Sequence, residues 1–268
     1  MTMQNHLFVT CLAAIFCVAS LAQGEIIPLF LEDFLIADAE IEVPNAPKVE
    51  SYLIPAEACK ELPRFKALLE EDPKSNKILF RLVNFPKEEQ MVLEVKRMAS
   101  LTPTTYETLK TFTVHEEGVI ETGDHKQQPA LVVTSRGFLP GERATFRFRT
   151  LDNTLSKEVS LYPKPMIARD KNGQTALRAE LVSIVPTVYQ IELLNMKEDE
   201  AYLFVSQSGG QIVKSNAHFH TGTPINYTPE NDGRLKGGTS RVEIRKKSGD
   251  VIVVSFPWGS ELQHHLDY

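Results

Sequence analysis

The stretch Gly137 to Thr150, GFLPGERATFRFRT, decides how the chain is read. A Pro140-Gly141 turn leads into a run in which Ala144, Phe146 and Phe148 alternate with Thr145, Arg147 and Arg149. That period of two turns the apolar set to a core and the polar set to water, as in a half-buried strand. Two other stretches echo it. Asn84 to Lys96, NFPKEEQMVLEVK, aligns without a gap, with Phe85 on Phe138, Glu89 on Glu142, Leu93 on Phe146 and Val95 on Phe148. Asn195 to Phe204 aligns more loosely, with Glu200 on Glu142 and Phe204 on Phe146. The spacing between echoes is about half a sandwich domain, so they read as recurring corner-plus-strand units and not as whole-domain repeats.

Working outward, strand patterns recur from Ala130: Ala130–Ser135, Glu142–Thr150, Lys157–Tyr162, Thr175–Ser183, Val188–Leu194, Ala201–Gln207 and Gln211–Ser215. Turn residues such as Leu151-Asp152-Asn153 and Ser208-Gly209-Gly210 separate them. Seven short strands in this space match the count of an immunoglobulin-type sandwich, predicted over residues 129–222. Residues 23–128 are expected to form an N-terminal, mostly β domain, with strands at Lys77–Val83, Glu89–Met98 and Thr108–Val114. Its helices are predicted at Glu25–Ala37, where Ile27, Phe30, Leu31, Phe34 and Leu35 recur at helical spacing, and within Pro55–Glu71, interrupted by Pro63. Residues 223–268 read as a long loop, Tyr227–Gly238, and a hairpin of Thr239–Lys246 with Asp250–Phe256, packed on the second domain. The unbroken apolar run Val251–Val254 predicts a strand buried on both faces. The fold class is therefore mainly β: tandem immunoglobulin-like sandwiches with one or two short helices in the N-terminal part.

The run from Leu193 to Val205, LLNMKEDEAYLFV, resembles the corner before a late strand of fibronectin type III domains, where a leucine, a turn and a tyrosine precede alternating strand residues. The resemblance covers about residues 129–220 at the level of the superfold. It implies that Tyr202 is the corner tyrosine, its hydroxyl tied to backbone upstream. Glu198-Asp199 stands where that corner usually carries Pro-Gly, and the sole tryptophan is the late Trp258.

Leu7 to Ala22, LFVTCLAAIFCVASLA, has the length of a signal-peptide core, and Ser20 and Ala22 suit cleavage after residue 22. The mature chain then keeps one of three cysteines, Cys59, so no intrachain disulfide forms and stability comes from packing. The expected location is periplasmic, cell-surface or extracellular, with no transmembrane span after cleavage. A formal net charge of -6 with interspersed signs gives no basic stripe for nucleic acid.

Motifs of the common hydrolases, nucleotide binders and zinc proteases do not occur. Cys59 is the one thiol available as a nucleophile. His218 and His220, two apart on an expected strand, point to one face and form the weak metal candidate. Arg143, Arg147 and Arg149 form a positive ridge on the exposed face of the central strand. It is a candidate partner-binding surface, with cross-strand pairing to Glu158 or its neighbours as the structural alternative. No cofactor is implied. The expected function is a non-enzymatic binding or assembly module of the cell envelope or extracellular space, meeting a protein or glycan partner through sheet edges and end loops. Two alternatives stand beside it: an envelope hydrolase using Cys59 or a His218/His220 metal site, and a periplasmic chaperone or scaffold subunit.

Overall fold

The computed structural model describes residues 46–56, 74–99, 105–123, 127–128, 130–195, 203–215, 222–229 and 236–266. The signal segment, the predicted helix at Glu25–Ala37, most of Pro55–Glu71 with Cys59, and Tyr202, His218 and His220 lie outside them. The described chain is mainly β. Its first half holds β1 (Lys48–Ile54), β2 (Lys77–Val83), β3 (Gln90–Lys96), β4 (Glu107–Val114), β5 (Ile120–Thr122), β6 (Gln127–Gln128), β7 (Leu131–Thr134), β8 (Ala144–Thr150) and β9 (Ser156–Leu161). The second half holds β10 (Met166–Arg169), β11 (Ala176–Ser183), β12 (Val188–Leu194), β13 (Leu203–Ser208), β14 (Gln211–Ser215), β15 (Ile225–Tyr227), β16 (Gly237–Arg245) and β17 (Val251–Gly259), followed by α1 (Ser260–Gln263).

Each half encloses its own core between two antiparallel sheets. In the first, the sheet β1-β2-β7 faces the sheet β6-β5-β4-β3-β8-β9. Ile78, Phe80, Leu82 and Leu131 from one side meet Met91, Leu93, Val95, Phe112, Phe146 and Phe148 from the other. Phe80 packs against Phe146 and Phe148 with ring centroids 5.0 Å apart in both cases. In the second half the sheets are β10-β11-β12-β15 and β14-β13-β16-β17, with Leu177, Leu181, Tyr189, Ile191, Val242, Ile244, Val254 and Phe256 between them. Seven strands correspond in order: β1, β2, β3, β4, β7, β8 and β9 match β11, β12, β13, β14, β15, β16 and β17. In both halves the first, second and fifth of these share one sheet, and the fourth, third, sixth and seventh lie side by side in the other.

This pairing corrects the boundary drawn at residue 129. β8 hydrogen-bonds to β3 and β9, in the register Leu93↔Phe148 and Phe146↔Val159, so Leu131–Leu161 completes the first half. Alternation reveals that a strand exists; it carries no information about which strand lies beside it. The hairpin β16–β17 likewise supplies a central strand and an edge strand of one sheet of the second half and is not an appendage to it. Val251–Val254 is also corrected. Ile252 and Val254 are buried while Val251 is exposed, so β17 buries one face only.

The three echoed stretches have one structural meaning. Asn84, Gly137 and Asn195, aligned with one another, all have positive φ (58°, 78° and 56°). Each stands where the chain leaves one sheet of a pair and crosses to the other: β2 to β3, β7 to β8, β12 to β13. Left-handed backbone suits glycine and is tolerated best by asparagine among the remaining residues.

Among the described residues, the Gly137–Glu142 corner also joins the halves. Phe138 belongs to the first core, whereas Leu139, the next residue, is 0% exposed in the second. Gly141 donates to Lys164 O at 2.8 Å and accepts from Leu181 N at 2.9 Å. Glu142 forms a parallel bridge with Leu181 of β11. A Cβ on Gly141 would lie 2.7 Å from the carbonyl oxygen of Ala179, so this close approach requires glycine. The Glu142 carboxylate, fully buried, accepts from Leu139 N at 2.9 Å and Ala99 N at 3.0 Å and lies 3.7 Å from Arg97 Nε.

Candidate functional site

The outer face of the six-stranded sheet carries the arginines singled out in the sequence. On β8 the side chains Ala144, Phe146 and Phe148 are fully buried, and Thr145, Arg147 and Arg149 take the opposite face. Across the ladder Glu94 of β3 receives both arginines: Arg147 Nε donates to Oε2 at 2.8 Å and Arg149 Nη2 to Oε1 at 2.8 Å. The hydrogen bond from Arg149, reinforced by Arg147, holds the Glu94 carboxyl below its ordinary pKa against the opposing effect of burial. Arg147 also lies over the Tyr106 ring, 3.8 Å from its centroid. The Tyr106 hydroxyl donates to Glu158 at 2.6 Å, and burial together with that carboxylate pushes its pKa up to about 12. The carboxylate that holds the arginines is thus Glu94, while Glu158 is engaged by Tyr106.

Arg143 stands differently. It lines an open cleft of about 500 Å³ with Lys96, Arg97, Met98, Thr145 and Ser160. Lys96 and Arg97 come from the end of β3 and Arg143 from the approach to β8, so the β3–β8 pairing brings the three cations together. Arg97 is tied down: one guanidinium nitrogen donates to Gly137 O and the group lies over Phe138, 4.6 Å from the ring centroid. Lys96 and Arg143 make no ion pair among the described residues, and the Lys96 ammonium lies 5.3 Å from the Tyr106 ring. Thr145 Oγ1 and Ser160 Oγ, on adjacent strands, share a hydrogen bond of 2.9 Å. The six acids between Glu25 and Glu42, with no Lys or Arg among them or before them, account for the whole formal net charge of -6. The remainder of the chain is balanced, so the local cation excess at the cleft is not set against a uniformly acidic body.

A second exposed feature is the edge strand β14. It pairs with β13 on one side, and among the described residues no strand pairs with its other side. Ile212 is 59% and Val213 45% exposed. The Gly209-Gly210 turn, with φ of 55° and 84°, makes Ser208 and Gln211 the first pair after a two-residue hairpin. Hydrogen-bonded pairs then alternate along the ladder, so the backbone N–H and C=O groups of Ile212 and Lys214 point to the open edge.

Sequence reasoning missed Lys96 and Arg97 because they stand at the end of a strand whose neighbour was unassigned. It also missed the exposure of Ile212 and Val213, which look like any apolar strand pair. Among the described residues no group of three or more His, Cys, Asp or Glu side chains is placed to hold a metal ion, and no helix is long and apolar enough to cross a membrane. No family model matches the chain, and a search of curated proteins finds no match to it.

Proposed function

We propose that this protein is an exported, non-enzymatic binding or assembly module built from two immunoglobulin-like sandwiches, which takes an extended segment of a partner protein at β14. The shared strand order of the two halves supports the immunoglobulin-like reading, since a three-stranded sheet facing a four-stranded one is the usual plan of such domains. The exposed, apolar edge at Ile212 and Val213 carries the functional reading. An edge of this kind pairs with a guest strand through main-chain hydrogen bonds, while the side chains beside it select apolar residues of the guest. The scaffold or chaperone version of this role uses the same edge.

Ile212→Pro and Val213→Pro test it as a pair. Proline at 212 removes an outward donor and spares the ladder to β13, whereas proline at 213 removes an inward one. With a photo-crosslinking residue at Gln211, the unmodified edge should crosslink to a partner segment in envelope fractions. Ile212→Pro should abolish that product with little change in thermal stability, and Val213→Pro should destabilise the fold. Crosslinking that survives Ile212→Pro in a folded protein would refute strand addition.

A further inference from the structure

We infer that the cleft between Lys96, Arg97 and Arg143 binds a doubly charged oxyanion, the phosphate of a monoester, separately from any guest strand at β14. Arg147 and Arg149 are both held by Glu94, but Arg143 and Lys96, on the same sheet, make no ion pair among the described residues. The carboxylates nearby make no ion pair with either: Glu142 faces inward, fully buried beside Arg97 and bonded to two backbone N–H groups, and Glu158 and Glu180 accept the hydroxyls of Tyr106 and Tyr162 and keep their charge.

Arg97 is fixed at the back of the cleft by Gly137 O and the Phe138 ring, which orients a guanidinium without a ligand. Thr145 and Ser160 add hydroxyls; one donates to the other at 2.9 Å, leaving one O–H able to turn toward a ligand oxygen. Two cations with no ion pair among the described residues, one oriented guanidinium and a free hydroxyl suit an anion with two charges and several acceptor oxygens better than a single carboxylate. The opening of about 500 Å³ exceeds the size of one such ion and leaves room for the group that carries it.

The test titrates the full chain with inorganic phosphate, sulfate and glucose 6-phosphate by calorimetry, and with phosphatidylcholine vesicles with and without phosphatidic acid by co-sedimentation. Saturable binding is expected for the small ions, weakened about tenfold or more by Arg143→Ala and by Lys96→Ala, the loss of one charge-assisted hydrogen bond. Arg143→Lys should retain most of it, and Arg241→Ala on the other half should change nothing. Glucose 6-phosphate should bind more tightly as pH rises through about 6, where its second proton leaves, while sulfate shows no such trend. Binding to the free ester alone assigns a soluble ligand, and binding to phosphatidic acid vesicles alone assigns a headgroup; both support the site. Absence of saturable binding to every probe, or affinities unchanged in folded Arg143→Ala and Lys96→Ala, would overturn it.

Discussion

The two halves solve one problem in different ways. Each buries a glutamate between two arginines on the outer face of the sheet that holds the third and sixth shared strands. In the second half all three lie on β16: Arg241 and Arg245 flank Glu243, which is 6% exposed. In the first half Glu94, 5% exposed, sits on β3, and Arg147 and Arg149 reach it from β8. The difference teaches what a strand can supply alone. Positions i, i+2 and i+4 share a face, so the β16 trio needs only alternation. The β3–β8 trio depends on register between strands far apart in the chain, and it cross-links the ladder that the β16 trio merely decorates.

The halves also differ in how they are tied to each other, and the largest expected effect tests that tie. Leu139→Ala alters a residue of the first half's corner but opens a cavity in the second core. A loss of about 2–5 kcal/mol is expected from denaturant unfolding, as for other fully buried leucines. Two separate transitions, with only one displaced, would show that the halves unfold independently.

Gly141→Ala comes next. The new Cβ meets Ala179 O at 2.7 Å on a backbone with φ of 75°, so left-handed strain of about 1–2 kcal/mol adds to crowding of about 1–3 kcal/mol. An unchanged midpoint would mean that β11 moves away freely. Glu94→Gln should cost about 1–3 kcal/mol and more than Glu243→Gln, because its arginines are less exposed than those of the β16 trio. Equal losses would remove the distinction between inter-strand and intra-strand trios.

The smallest effect is the response to pH. In the first half His115 bridges Glu88 of the β2–β3 corner and Glu121 of β5, at 2.9 and 3.0 Å, and the Glu88 carboxylate raises its pKa above the ordinary 6.5. Its stabilisation is complete below pH 6.5 and fades as pH rises through the raised value. In the second half Lys246 reaches Asp170 at 2.6 Å. Burial opposes the charge on Asp170, but the ammonium and the Gln174 N–H outweigh it and lower the carboxyl below 3.8. That contribution is complete above pH 3.8 and is lost as pH falls through the lowered value. Melting His115→Gln across neutral pH should erase the alkaline decline and leave the acid one intact.

Much of the fold was legible. Lys77–Val83, Val188–Leu194 and Gln211–Ser215 were predicted to the residue, since short runs rich in apolar and β-branched residues bounded by turn residues mark each of them. Met166–Arg169 and Ile225–Tyr227 were not, because four or three residues are too few to show a period. Of the candidate site, Arg143 was named in advance; Lys96 and Arg97 were not, because their meeting with Arg143 depends on the β3–β8 register.

In GFLPGERATFRFRT the sequence alone determined a turn, a strand and the face each side chain takes, because these follow from the local geometry of an extended chain. Tertiary structure decided that β8 belongs to the first half, that Leu139 belongs to the second core and that Arg143 stands apart from Arg147 and Arg149. Those outcomes rest on hydrogen bonds and packing between segments distant in the chain, and local alternation does not encode a neighbour.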